Sequence, residues 1–356
     1  MTFFSLLCAL LLEQMHPPAR PHIVWQAQQR LADWAFHSLN AGQRQHGWIA
    51  WATAVLAPAV AACGIYHLLH WAGWPLALAW NVLLLYLTLG LRPFGTELAA
   101  IREALERGEE TRARQLLSQW QGSSNATLPR HILTQQALEH AVLDVHRHVF
   151  GVAAAFALLA MLGLGPAGAV LYRCADCVQA HWQGSRAFAI RPTAQVRSAA
   201  AKLPPAGQAL HAAQTAWFFI NWLPARMTAA SFAIVGNFEL ALENWRHLPD
   251  AHSRPGHANT RSRNDALLLA VAAGAIDVPN DFATPAASSA AHAASGTDAA
   301  QDPTLAEDAG AAYGMAVHAR QPSGLHRLHT LARLIWRSVL LWALLIALIT
   351  VTHWVS

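Results

Sequence analysis

The residues that could carry chemistry gather around one charge-free stretch of the chain. Glu139, Asp144 and Arg147 precede it, and Arg173 and Asp176 follow it. Asp144 and Arg147 stand three apart, so on a helix they share a face. The plainer reading is a salt-bridged helix surface. The chemical reading is a polar cluster at the mouth of a membrane span, facing Arg173 and Asp176 if that span folds back, because ionisable groups beside a span are costly and mark function. Arg226 is a sixth candidate: it sits with Pro224 at the middle of the apolar run 215–236, where a charge marks function or an interfacial re-entrant helix. Cys174 and Cys177 form a CxxC, which suggests thiol redox or metal chemistry. Without a second CxxC or a βαβ context, simple packing is the expectation. His146 and His148 flank Arg147, but residues two apart do not share a helical face. A boundary cluster at the lipid headgroups is therefore expected in place of a chelate. No metal site is predicted, and no phosphate-cradling glycine loop, GxSxG or HExxH occurs.

Such a cluster needs elements to hold it, and composition says what they are. Of 356 residues, 54% are apolar and only 12% are Asp, Glu, Lys or Arg. An ordinary soluble domain carries about twice that charged fraction. Disorder throughout, collagen and a disulfide scaffold are excluded, and an integral membrane protein remains. The formal charge of +4, with Lys202 the sole lysine, does not describe a nucleic-acid surface. The lipid bilayer is the expected partner, and arginines flank its spans.

A span needs about 20 apolar residues, because only a helix satisfies its own backbone in lipid. No Asp, Glu, Lys or Arg occurs between Arg44 and Arg92. That window predicts a helical hairpin, 48–69 and 71–91, reversing at His70, Gly73 and Pro75. Trp48, Trp51, Trp71 and Trp74 form its interfacial belt. A third span is expected over 150–172, broken or kinked by Gly165 and Pro166, and a last one over 338–355. The run 2–12 is too short to cross and is expected to pack or half-insert. The predicted fold is all-α and polytopic, with four to five transmembrane helices and an extramembrane helical hairpin. Topology stays open, since one span separates the basic segments 92–147 and 173–214 and the positive-inside rule pulls both ways.

The expected organisation runs in six parts. An N-terminal amphipathic or half-inserted segment (1–47) leads into the transmembrane hairpin (48–91) and an extramembrane helical region (92–148). A broken span with a re-entrant or spanning helix follows (149–278), then a disordered tether (279–325) and a C-terminal transmembrane helix (326–356). In the third part, Leu98, Ile101 and Leu105 line one helix, and Ala113, Leu116, Leu117 and Trp120 line the next, with a turn at Gly108. Glu103 with Arg107 and Glu110 with Arg114 supply favoured i,i+4 pairs. The stretch 123–129 is a loop, and 279–313 has almost nothing large to bury.

Several ordered blocks resemble the CobD/CbiB family of cobalamin biosynthesis: 91–122, the helix around Glu139, GLGPAGAVLYRCAD at 163–176, NWLPARMTAASFAIVG at 221–236 and the run 252–276. HPPAR at 16–20 looks like a displaced form of that family's His-Pro-Val-Arg element. The chain departs from the family at VLDVHRH (142–148), at DCVQA (176–180), where Gln179 replaces an expected Asp, and at SRPGHAN (253–259). The resemblance implies a multi-pass protein of the cell inner membrane and a corrinoid substrate. It implies an ATP-dependent amide synthase that attaches an aminopropanol-type arm to adenosylcobyric acid, with ATP and Mg taken up only for that reaction. Contacts with pathway enzymes or with further copies of the chain are compatible with it. Glu139, Arg173 and Arg226 match the family's pattern; taken with the residues read from their spacing, Glu139, Asp144 and Asp176 are the candidate catalytic residues, and Arg147, Arg173 and Arg226 the candidate substrate-binding ones. A second resemblance, through 1–15, 223–245 and the single terminal helix, is to AmpE-type membrane regulators, which would act without catalysis.

Overall fold

The structure, a computed structural model, describes residues 2–15, 23–39, 43–121, 129–190, 207–247, 263–277 and 324–355. Every regular element among them is helical. Of the tether expected at 279–325, residues 324 and 325 already belong to the last helix; the rest of it, the HPPAR element and the loop at 123–128 lie outside the described residues.

Helix α1 (Thr2–Met15) packs on the later helices α4 and α14, and α2 (Ile23–Leu39) lies along α3 (Arg44–Ala72). Pro58 stands inside α3. Proline lacks an N–H, so the carbonyl four residues earlier loses its partner. That carbonyl belongs to Ala54, and the Gln28 side chain of α2 donates to it at 2.8 Å. A helix defect thus becomes the docking point of the neighbouring helix. Gly73, with φ of 153°, turns the chain into α4 (Trp74–Thr88), as the predicted hairpin requires. Trp71 and Trp74 are exposed at its tip, whereas Trp51, expected in the same belt, is buried in the core.

Helices α5 (Leu91–Glu106) and α6 (Glu110–Gln121) meet at Gly108. Leu98, Ile101, Leu105, Ala113 and Leu117 are buried between neighbours, as their period predicts. The Arg107–Glu103 and Arg114–Glu110 pairs form on the outer face.

The expected third span is replaced by a hairpin of two longer helices. Helix α7 (Arg130–Val145), a π-helical turn (His146–Phe150) and α8 (Gly151–Met161) make one continuous rod, and α9 (Ala167–Ile190) returns beside it. The expected segment 150–172 is the tip of that hairpin rather than one crossing. Two close approaches seal it: the Tyr172 ring occupies the space where a side chain on residue 151 would stand, and the Ala155 carbonyl does the same at Gly168. Small residues of this kind let membrane helices approach backbone to backbone. Arg147 and Arg173, which close the first basic segment and open the second, therefore return to one end of the molecule. The tips at 73 and 163–165 adjoin at the other end, where Gly165 meets the Tyr66 ring, and the conflict over orientation disappears.

Helices α10 (Gly207–Ile220) and α11 (Trp222–Val235) are bent by 44° at their junction. Short helices α12 (Phe238–Arg246) and α13 (Arg263–Ala275) pack against α11, and α14 (Gly324–Val355) closes the bundle. Among the described residues three helical rods, Arg44–Ala72, Arg130–Met161 and Leu325–Thr352, are long and apolar enough to cross a membrane, and the bent pair makes a fourth if it counts as one span. Helix α4, expected as a full crossing, is only 15 residues long. Of each rod's most apolar window, 61% is buried in the α7–α8 rod, against 33% in α3 and 29% in α14. The α7–α8 rod is thus the central element, and α3 and α14 present the wider lipid-facing surface. The protein is an all-α, multi-pass membrane protein.

Candidate functional site

At the charged end, α2, α7 and α9 enclose a cleft of about 610 Å³. Helix α7 contributes His140 and Asp144, the π-helical turn Arg147 and His148, α9 contributes Arg173, Asp176, Cys177 and His181, and α2 contributes Trp25 and Gln29. Four of the six sequence-predicted site residues, Asp144, Arg147, Arg173 and Asp176, therefore converge, because the chain folds back between α8 and α9.

Their pairing is not the one a single helix face suggests. Asp144 bonds His148, with Nδ1 to Oδ1 at 3.1 Å. Arg173 donates from Nη1 to Asp176 Oδ2 at 2.7 Å, and its guanidinium lies 5.1 Å from the Trp25 ring centre. Arg147 reaches away from Asp144 to Asp265 on α13, with Nη2 to Oδ2 at 2.7 Å. Asp265 was not singled out in the sequence, although with Arg263 it is one of two ionisable residues in the otherwise apolar helix α13. That contrast is the signal that could have found it.

Glu139 is buried on α7 and accepts from Gln135 Nε2 at 3.1 Å. It does not line the cleft. Nor does Arg226, which donates to the Trp222 carbonyl at 3.0 Å and to Asn264 Oδ1 at 3.4 Å, with its guanidinium 4.0 Å from the Trp222 ring centre. It stands at the elbow of the bent pair, one residue of α13 away from Asp265.

The two histidines beside Arg147 separate as their spacing predicts, but His146 is wholly buried and cannot meet headgroups. Its Nε2 donates to Asn221 Oδ1 at 2.8 Å, and its Nδ1 lies 3.0 Å from Thr228 Oγ1. Tyr172 OH donates to the same Asn221 oxygen at 2.8 Å. This network ties the π-helical turn to the elbow, and π turns concentrate at functional sites. Cys174 is buried and Cys177 half-buried, both as free thiols one helical turn apart. No group of three or more His, Cys, Asp or Glu among the described residues could hold a metal ion.

The arrangement offers two guanidiniums and two carboxylates on one partly enclosed wall, with an indole and three imidazoles beside them. Such a wall can hold a polyanion through its arginines and accept a proton on a carboxylate.

Comparison with known proteins fits this geometry. The chain matches the CobD/Cbib protein family over residues 6–186, a range that includes every residue lining the cleft. The cobalamin biosynthesis protein CobD of Stutzerimonas stutzeri (strain A1501) is 30% identical over 281 residues, covering 78% of this chain and 81% of the relative. No solved structure matches the chain. On the strength of the family match over residues 6–186 and of this relative, the chain belongs to the CobD/CbiB family of cobalamin-biosynthesis proteins.

Proposed function

We propose that this protein forms an amide between a corrinoid carboxylate, that of adenosylcobyric acid, and an aminopropanol-type amine, in an ATP-dependent step. The observation that carries the reading is the convergence of Asp144, Arg147, Arg173 and Asp176 on one cleft inside the family-matched region.

Activation of the carboxylate by ATP supplies the driving force. Arg147 and Arg173 hold phosphate oxygens, since guanidinium forks match phosphate geometry. When the amine attacks the activated carbonyl carbon, the carbon–nitrogen bond forms, the bond to the activating group breaks, and the amine loses a proton. Asp144, oriented by His148, and Asp176 are the cleft's carboxylates and accept that proton. Mg²⁺ would arrive on the nucleotide, because Mg²⁺ is commonly held by one or two carboxylates plus substrate phosphates. Trp25 gives the cleft a flat apolar wall for a planar ring. Arg226 and Glu139 support the helices behind the cleft.

The cleft faces the cytoplasm across the inner membrane. What supports this is that no Asp, Glu, Lys or Arg lies between Arg44 and Arg92, between Arg147 and Arg173, or beyond Arg337, so the described arginines concentrate at the cleft end.

Complementation tests the reading. A strain unable to form cobinamide should regain corrinoid amidation when it expresses this chain. Failure with the protein abundant in membranes would overturn the enzymatic reading. A regulator of the AmpE type would instead leave corrinoids unchanged and alter β-lactam induction.

A further inference from the structure

Arg147 is fixed at both ends of its side chain, and the two anchors come from different parts of the chain. Below it, His146 is pinned by Asn221, Tyr172 and Thr228 at 2.8–3.2 Å, so the backbone of the π-helical turn cannot rotate freely. Beyond it, Asp265 takes the Nη2 edge of the guanidinium at 2.7 Å. The Asp265 side chain is 5% exposed, whereas that of Arg147 is 28% exposed and opens to the cleft. One edge of the fork is thus sealed against α13, and the part of the guanidinium side chain that stays exposed faces the cleft.

Asp265 is itself held in place. It sits in the first turn of α13, where the helix dipole favours a carboxylate. Its neighbour Asn264 donates to the Phe218 carbonyl at 2.9 Å, a carbonyl freed where α10 ends before the elbow. The turn that carries Asp265 is therefore clamped to the bent pair, and Arg147 is aimed by a residue 118 positions away.

We propose that Asp265 is the positioning residue for Arg147, orienting its guanidinium towards an anionic group in the cleft. The inference rests on the reading of that cleft as the ATP-dependent site. A guanidinium pre-oriented by a buried carboxylate loses little freedom on meeting a phosphate, and a displacement of about 1 Å can cost on the order of a hundredfold in rate.

The test uses the full chain in nanodiscs. Steady-state kinetics of amide formation are compared for the wild type, Asp265→Asn and Asp265→Glu. Asp265→Asn should raise KM for ATP by about tenfold or more, leave KM for the amine unchanged and remain folded. Asp265→Glu keeps the charge and should recover part of the loss. Wild-type KM and kcat in Asp265→Asn overturn the proposal, and so does a variant whose only change is the amount of folded protein. If Asp265→Asn does not fold, wild-type kinetics in Asp265→Glu overturn it, because the longer side chain must displace the guanidinium. Tripolyphosphate titration without turnover separates this proposal from the catalytic reading. A wild type that binds tripolyphosphate, with binding weakened about tenfold in Asp265→Asn, supports the positioning role even where no amide forms. A wild type that binds none overturns both.

Discussion

The α5–α6 hairpin and the cleft are built from the same residue types, arginine against carboxylate, and they use them in opposite ways. On the hairpin the partners are three or four residues apart; Arg107–Glu103 and Arg112–Glu109 are largely exposed, and Arg114–Glu110 is partly so. Such pairs contribute about 0–1 kcal/mol and are screened by salt. In the cleft the half-buried Arg147 pairs with Asp265 from another part of the chain, and the carboxylate is withdrawn from water. A buried pair contributes little net stability compared with apolar packing, yet losing one partner strands a charge. The hairpin's pairs are ornament on a helix that its apolar stripe already holds. The buried pair defines where a guanidinium points.

The comparison is broken most severely by removing one member of the buried pair. Arg147→Ala and Asp265→Ala should each destabilise the protein by about 3–5 kcal/mol and abolish corrinoid complementation, read by membrane abundance, thermal unfolding in detergent and growth. The double variant Arg147→Met/Asp265→Leu should recover most of the abundance and none of the function. Recovery of function would show that Arg147 serves packing alone.

Next comes the polar contact that α2 makes with α3. Gln28→Leu leaves the Ala54 carbonyl without its donor and should cost roughly 1–3 kcal/mol, seen as a lowered unfolding temperature. An unchanged temperature would mean that the defect at Pro58 is satisfied otherwise. Arg226→Ala removes two hydrogen bonds at the elbow and should cost about 1 kcal/mol, with weakened but measurable complementation. Complete loss at normal abundance would move Arg226 into the substrate site. The smallest effects belong to the hairpin: Glu103→Ala and Glu110→Ala should each change stability by less than about 1 kcal/mol, and less again at high salt. A larger change in either would remove the contrast.

How much of this was legible before folding varies by region. The hairpin helices, their turn at Gly108 and their ion pairs followed from local period and spacing, because the Arg107–Glu103, Arg112–Glu109 and Arg114–Glu110 pairs close within four residues. The π turn was invisible, since it depends on His146 finding Asn221 and Thr228, 75 and 82 residues away. The segment 150–172 reads as a span by hydropathy, which cannot distinguish one crossing from the two arms of a turn. Gly165 and Pro166 marked the break, but the direction of the returning chain depends on Tyr172 and Gly168 fitting against α8. Trp51 was misplaced for a related reason, since an indole near a span end suits an interface or a core equally well.

The candidate site shows the same division. Asp144, Arg147, Arg173 and Asp176 were identifiable because charges beside an apolar run are rare, and rarity is a property of the linear chain. Asp265 and Asn221 were not, because their importance lies in the groups they face. Composition and period decided that the chain enters a membrane as helices and which charges lie near it, through the cost of exposing backbone and charge to lipid. Folding decided that the charges on either side of residues 148–172 meet in one cleft, and that Arg147 turns to α13 rather than to Asp144. Those outcomes rest on contacts between residues far apart in the chain, where close packing and paired burial select one arrangement from many that local pattern permits.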